Sequence, residues 1–427
     1  MDQASRTPPG ARDQAESAIL AALPGRAQDL ARLRFMASEP RPVVTVVGKY
    51  NHGKSRLLNE LIGRTVFSVA DKRETTELSR HAHDSVCWLD APGLDADVNT
   101  FDDDHALQAI WLQSDIRLFV HAAKEGELDG RELALLRSLH EDGQRTRRQT
   151  LLVLSQVDQL AGETQHQAVV QSIGWQAPAL ELHQVSSTRY RQGLEGGKAL
   201  LMERSGIPAL QAALRQALER VPPARDHECA MLLDESRLEL RQLCARRQDL
   251  RGELQSRQAQ QRHSFEEDLR AVLDKVKGDI QALLDLPGPD HSRTPDSFEN
   301  QFKITQGKME RNRLQVGYSK ACIEINAILI KHGVTDLPEA QQTKVRSLDS
   351  VIVAVMGVYV KYRKDLREIF CEDLGRARMQ AEFIRYFELS ADRVELASRL
   401  DSAEIGVRIA RQGAAALEVL AQLEAQA

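Results

Sequence analysis

The chain has 427 residues, of which 28% are charged, 42% hydrophobic and 4% aromatic, with a formal net charge of −5. That length suits two domains at roughly 100–200 residues each, while 25 glycines and 14 prolines are too few for a fibrous or low-complexity chain. The many Ala, Leu, Arg, Gln and Glu residues favour helix over β-sandwich, and the acidic balance disfavours general nucleic-acid binding, so no DNA partner is expected.

Cys87, Cys229, Cys244, Cys322 and Cys371 are scattered and form no C-x-x-C pair, which argues against a disulfide framework or zinc knuckle. The opening MDQASRTPPGARDQAES lacks the basic-then-apolar order of a signal peptide. The longest apolar run, Val351 to Val360, is about half of the ~20 residues a spanning helix needs. The expected location is cytoplasmic, or peripheral at the inner face of a membrane.

Along the chain, Ala11 to Ser38 repeats apolar residues at helical spacing with a break at Pro24-Gly25. PVVTVVG then introduces a β-branched run, and SVCWLD, IRLFVHA, TLLVLSQV and LHQVSS read as further strands separated by crossover helices. Pro222-Pro223 is read as the end of this α/β region. Beyond it, Asp226 to Leu286 predicts one long helix or a bent pair with a coiled-coil-like seam, and further helices are expected over 297–331, 350–389 and 391–425. The expected domains are 1–41, an amino-terminal helical segment packing on a helical bundle, 42–221, the sheet domain, and 222–427, the bundle or stalk.

The chemistry concentrates at Gly48-Lys49-Tyr50-Asn51-His52-Gly53-Lys54-Ser55, a G-x-x-x-x-G-K-S string between a strand and the helical pattern RLLNELIG. In that setting glycines let backbone N–H groups fold around phosphates, and the helix adds its positive end. Lys54 is expected to reach the β- and γ-phosphates, and the Ser55 hydroxyl to ligate Mg²⁺. Arg56 joins the expected nucleotide contacts. His52 either touches phosphate or points to solvent. Asp90, at the end of VCWLD, is a further Mg²⁺ candidate, and the Gly93 amide a γ-phosphate sensor. Thr76, with Thr75 as the alternative, is the candidate threonine closing over metal and γ-phosphate. Asp158 offers guanine a carboxylate for its N1–H and N2–H₂ donors, and the stretch around Ser186 and Ser187 offers a backbone amide to the guanine carbonyl.

The segment VVTVVGKYNHGKSRLLNELIG resembles the G-x-x-N-x-G-K-S-x-L-L-N-x-L of the translation-factor-related P-loop GTPases, in particular Era-like and dynamin-like members. By that resemblance Gly48–Ser55 is the phosphate loop, Thr76 the switch I threonine, Asp90–Gly93 the switch II motif, Ser155–Asp158 the base motif and Ser186-Ser187 the last guanine motif. Gln156 stands where the family usually has a lysine. Asn51 matches a position at which some Era-like GTPases ligate potassium, so the resemblance implies K⁺-stimulated hydrolysis at a dimer interface, with Lys54, Thr76 and Asn51 as the catalytic set.

A GTPase with helices before and after it resembles bacterial dynamin-like architecture. The implied fold is α/β, a doubly wound, mostly parallel P-loop GTPase sheet with a separate all-α bundle or stalk. The implied function is GTP binding and hydrolysis coupling G-domain self-association to the stalk, at an anionic membrane surface or with a protein partner. The run Val351–Val360, followed by Lys361-Tyr362-Arg363-Lys364 within a net-basic stretch, is the candidate lipid contact, against the alternative of a buried core helix. The competing function is an Era-like regulatory switch whose helical tail binds protein or ribosome; a third is an inactive nucleotide-binding scaffold.

Overall fold

The structure is a computed structural model and describes residues 10–68, 79–91, 109–295, 297–344 and 349–426. Helices α1 (Ala11–Ala22) and α2 (Ala27–Ser38) flank the predicted Pro24-Gly25 break. Next come β1 (Val43–Val47), α3 (Lys54–Ile62), β2 (Ser79–His83), β3 (Val86–Asp90), β4 (Ile116–Ala122) and α4 (Gly130–Thr146). The region continues with β5 (Gln149–Ser155), α5 (Glu163–Gln176), β6 (Leu182–Gln184), α6 (Ser187–Glu195), α7 (Ala199–Glu203) and α8 (Ile207–Glu219).

Among the described residues the strands form one sheet in the order β2-β3-β1-β4-β5-β6, parallel except for the edge strand β2. β1, β3 and β4 are buried at every position because helices cover both faces of the sheet. Val44, Val46, Leu118, Val120 and Val153 pack with Leu57 and Leu58 of α3 and Leu210 and Leu214 of α8. Val47, Phe119, Leu152 and Leu154 pack with Leu136 and Leu139 of α4 and Ile173 of α5. This is the doubly wound sheet that the alternating runs predict. Pairing of Val46 with Asp90, Val47 with Phe119 and Ala122 with Ser155 brings the carboxyl ends of β1, β3, β4 and β5 to one edge, where such sheets carry their ligands.

The chain packs as two compact units, Met1–Gln242 with Arg411–Ala427, and Leu243–Ala410. This division differs from the expected 42–221 and 222–427. Pro222 and Pro223 open helix α9 (Val221–Leu284) instead of closing a domain. The first-turn N–H groups of a helix have no intrahelical acceptor, so proline there sacrifices no hydrogen bond.

In the first unit, α1 and α2 pack with the opening turns of α9 and the last turns of the final helix. Arg12 pairs with Glu424 at 2.7 Å, and Arg26 with Glu235 and Glu239 at 3.0 and 2.8 Å. Beneath them lies a buried ion network. Arg32 contacts Asp115 and Glu228, each at 2.9 Å, Arg225 contacts Asp115 at 2.5 Å, and Arg148 contacts Glu228 at 3.3 Å. Asp142 receives Arg117 at 2.5 Å and Arg148 at 3.1 Å. Burial pulls the Asp115 carboxyl upward, but Arg225, Arg32 and the Val43 amide outweigh it and hold it below the ordinary carboxylate range.

The second unit is built from the remainder of α9 with α10 (Gln306–Lys331), α11 (Val351–Met356), α12 (Arg363–Phe370), α13 (Asp373–Glu388) and the first part of α14 (Ala391–Gln426). Phe265, Leu269 and Val276 of α9 meet Leu314, Tyr318 and Ile325 of α10 and Phe383 and Phe387 of α13. The Phe265 and Phe387 rings stack at 4.3 Å. The helix expected from residue 297 begins at Gln306, and the one expected over 350–389 is three helices. Gly357, at φ 76°, ends α11 in a conformation that favours glycine. The apolar run is divided accordingly: Val351, Met356 and Val360 are buried, while Val358 and Tyr359 are exposed. No helix among the described residues is long and apolar enough to cross a membrane.

Candidate functional site

The loop between β1 and α3 carries Gly48, Asn51, His52 and Gly53 of the predicted residues. Gly48 takes φ 150°, and a Cβ there would collide with the Val120 carbonyl, so only glycine lets the loop pass so close to β4. Asn51 at φ 59° and Gly53 at φ 79° complete the turn, and Lys54 and Ser55 open α3 with Arg56 behind them. The Lys54 ammonium is buried and donates to the Lys49 carbonyl at 2.9 Å. Further along α3, buried Asn59 accepts from the Val66 and Phe67 amides at 2.9 Å, fastening the chain where it leaves the helix.

Ser55 Oγ donates to Asp90 Oδ2 at 2.5 Å. Asp90 Oδ1 is buried without a hydrogen-bond partner among the described residues. Burial pushes the Asp90 carboxyl up, against the Ser55 hydrogen bond and the Lys54 charge. A hydroxyl beside a carboxylate with one oxygen left open is a donor set that fits a hard divalent cation such as Mg²⁺. An unpartnered buried oxygen is costly unless some group takes it.

At the opposite side of the loop, Gln156 at φ 58° donates through Nε2 to the Asn51 carbonyl at 2.7 Å. The glutamine in the place of the family's lysine thus ties the base motif to the phosphate loop. Ser155 Oγ lies 2.6 Å from the His52 carbonyl and 3.1 Å from the His121 carbonyl. Ser186 Oγ donates to Asp158 Oδ1 at 2.6 Å and fixes the carboxylate, while Ser187 begins α6. The two motifs read as guanine-binding therefore meet, although 28 residues separate Asp158 from Ser186.

His52 takes neither course considered for its side chain. The imidazole is 2% exposed, turned beneath the loop with Nδ1 3.1 Å from the Val120 carbonyl. Burial, aided by His121 and Lys54, lowers its pKa to about 4 despite the Val120 carbonyl and Glu132. Thr76, its alternative Thr75, and Gly93 lie outside the described residues.

Sequence reasoning missed buried His121 at the end of β4, buried Glu132 of α4 and exposed Asp129, which caps α4 and meets Lys49 of the loop. One signal was present. Asp129-Gly130-Arg131-Glu132 is a D-x-x-E capping box, and in the structure Asp129 accepts from the Glu132 amide at 2.8 Å while Glu132 accepts from the Asp129 amide at 3.2 Å.

Comparison with known proteins agrees with this geometry. The family model described as 50S ribosome-binding GTPase matches residues 43–156, from β1 to the base motif. An uncharacterized protein of Acinetobacter baylyi is 51% identical over 384 residues, which cover 90% of this chain and 92% of that one. The chain carries a P-loop GTPase domain. Among solved structures, the chain is similar to Aquifex aeolicus Era bound to GDP·AlF₄⁻, at 23% identity over 37% of this chain and 55% of that chain, TM-score 0.31. It is also similar to a member of an oligomerised bacterial dynamin pair, at 13% identity over 98% of this chain and 78% of that one, TM-score 0.37.

Proposed function

We propose that the chain binds GTP with Mg²⁺ at Gly48–Ser55, hydrolyses it, and couples its nucleotide state to the helical unit in the manner of a dynamin-like protein at a membrane surface. The observation that carries the nucleotide reading is the Ser55–Asp90 pair with its open carboxylate oxygen beside the buried Lys54. When bound, Mg²⁺ supplies charge neutralisation for the β- and γ-phosphate oxygens.

Each residue then has a role that its position supports. The amides of Gly53, Lys54 and Ser55 present donors and the positive end of α3 to phosphate. Lys54 exchanges the Lys49 carbonyl for phosphate oxygens. Ser55 and Asp90 hold the metal, with Thr76 closing over it and the Gly93 amide reading the γ-phosphate. Asp158, oriented by Ser186, accepts from guanine, and Gln156 and Ser187 border the base. Asn51 is the candidate K⁺ ligand in a G-domain dimer. The buried imidazole of His52 leaves only the backbone of that residue for nucleotide contact.

Support for a membrane role comes from the second unit. Phe298, Phe302 and Ile304 are 90%, 96% and 82% exposed, beside Lys303 and Lys308. Aromatic and aliphatic side chains with adjacent ammonium groups suit an anionic bilayer surface. They are better placed for it than Val351–Val360, much of which is core. Binding of a fluorescent GTP analogue tests the central reading: Lys54→Ala is expected to abolish it, and retained binding would overturn the assignment. Asp158→Ala is expected to erase the preference for GTP over ATP. Turnover that rises with protein concentration and with anionic vesicles supports the coupled reading. Turnover indifferent to both returns the chain to a regulatory switch with a protein partner.

A further inference from the structure

Three buried side chains from three elements meet directly beneath the phosphate loop: His52 of the loop, His121 of β4 and Glu132 of α4, at 2%, 1% and 6% exposure. Glu132 is their hub. Its Oε1 lies 2.9 Å from His121 Nδ1 and 3.8 Å from His52 Nδ1. Its Oε2 accepts from the Asp129 amide and lies 3.3 Å from Lys49 Nζ, which also meets Asp129 at 2.5 Å. His121 Nε2 reaches the Gly126 carbonyl at 3.1 Å, and the two imidazoles meet edge to face at 5.2 Å. The loop is thereby gripped at Lys49 and at His52, on either side of Tyr50 and Asn51.

Resting on the nucleotide reading above, we propose that Glu132 is a positioning residue for GTP binding: from α4 it holds Lys49 directly and His52 through His121, and so fixes the phosphate loop before nucleotide arrives. Burial pulls the Glu132 carboxyl upward, yet the His121 hydrogen bond and charge, the Asp129 amide and Lys49 hold it below the ordinary carboxylate range. It is therefore an anion at neutral pH, buried among groups that need one. Each nitrogen of His121 lies at hydrogen-bond distance from an oxygen, Glu132 Oε1 or the Gly126 carbonyl, and the one that carries the N–H donates to it. A loop whose amides are aimed in advance loses less ordering entropy when phosphate binds.

The anchor matters most at the moment of binding. Lys54 gives up the Lys49 carbonyl to reach phosphate, and Lys49 is then held by the His52 amide on that carbonyl at 3.4 Å and by its side-chain contacts to Asp129 and Glu132. Two imidazoles and a carboxylate are also a zinc-type ligand set. Here, however, the Nδ1 atoms that face the cluster already lie at hydrogen-bond distance from an oxygen, His52 from Val120 and His121 from Glu132. A proton-bonded clamp accounts for those distances without an ion.

The test is GTP affinity of the full chain carrying Glu132→Gln, Lys49→Gln or both, with Lys54→Ala as control. Glu132→Gln is expected to weaken binding by about tenfold or more, the loss typical of one hydrogen bond to a charged group. Lys49→Gln acts on the same anchor, so the double variant is expected to lose much less than the product of the two single losses. Losses that simply multiply would show two unrelated structural effects and overturn the proposal, as would single variants with wild-type affinity. If Glu132→Gln does not fold, Lys49→Gln decides alone, because Lys49 lies at the solvent edge of the network. A transition metal present in stoichiometric amount in the wild type and lost from Glu132→Gln would also overturn it. Wild-type protein that fails to bind GTP removes the nucleotide reading itself, a separate outcome.

Discussion

The two units bury different chemistry. In Met1–Gln242 with Arg411–Ala427 the interior holds Arg32, His52, Lys54, Asp90, Asp115, Arg117, His121, Glu132, Arg148 and Glu228. In Leu243–Ala410 the buried polar side chains among the described residues are Ser292, Glu310, Asp349 and Ser390, around a large apolar core. Buried charges fix their neighbours at particular distances, because any unpaired one is heavily penalised. An apolar core fixes only volume and tolerates rearrangement. The contrast suits a division of labour in which one unit must hold phosphate-binding groups at stated distances and the other need only be a well-packed helical body.

Substitutions can break that contrast. Glu228→Ala leaves Arg32 and Arg148 short of a buried counter-ion and is expected to cost about 3–5 kcal/mol in urea unfolding. A loss under about 1 kcal/mol would mean the network is not what organises the first unit. Phe383→Ala, at a fully buried site in the second unit, is expected to cost about 3 kcal/mol while leaving GTP affinity in place. If affinity fell with it, the spacing of the phosphate-binding groups would depend on the apolar core of the second unit as well as on the buried charges of the first.

A smaller effect is set by pH. Unfolded histidine titrates near 6.5, whereas folded His52 titrates at about 4, so the unfolded chain holds the extra proton between those values. The contribution of His52 is present above about pH 6.5 and is lost as pH falls toward 4. His52→Gln is expected to flatten that part of the stability profile. The smallest effect is expected at Phe298 and Phe302: serine at both changes stability by about 0.5 kcal/mol or less. The same pair should lower co-sedimentation with anionic vesicles, and unchanged co-sedimentation would remove the membrane role of this patch.

What could be read from the sequence follows the same divide. The phosphate loop was legible because its conformation admits few residue types, as Gly48 against the Val120 carbonyl illustrates. The parallel strands were legible as apolar runs because both faces are covered. β2 was not among those runs, since Ser79-Arg80-His81-Ala82-His83 is polar and gains its strand form from pairing with β3. Pro222-Pro223 misled because proline suits both a helix start and a chain break. The ion network around Arg32 left no trace, since partners up to 196 residues apart have no periodicity to detect. His52 was placed by its loop, whereas its surroundings come from β4 and α4, which the local string does not specify.

The final turns of α14 belong to the same unit as the phosphate loop. Arg12 of α1 reaches Glu424, and Gly413 sits against Ala22 and Leu240 so closely that a Cβ would crowd both. A ribosome releases the amino-terminal helices and the sheet first, then the whole of the second unit, and only afterwards the segment that covers α1. Domains generally fold as they emerge, but this one cannot finish before the segment from Arg411 onward has been released. Until then the face formed by Ala18 and Ala22 has no cover from α14. A message cut short after the sheet would yield a protein with every phosphate-loop residue in place and an apolar seam open to solvent, a species suited to capture by chaperones and proteases.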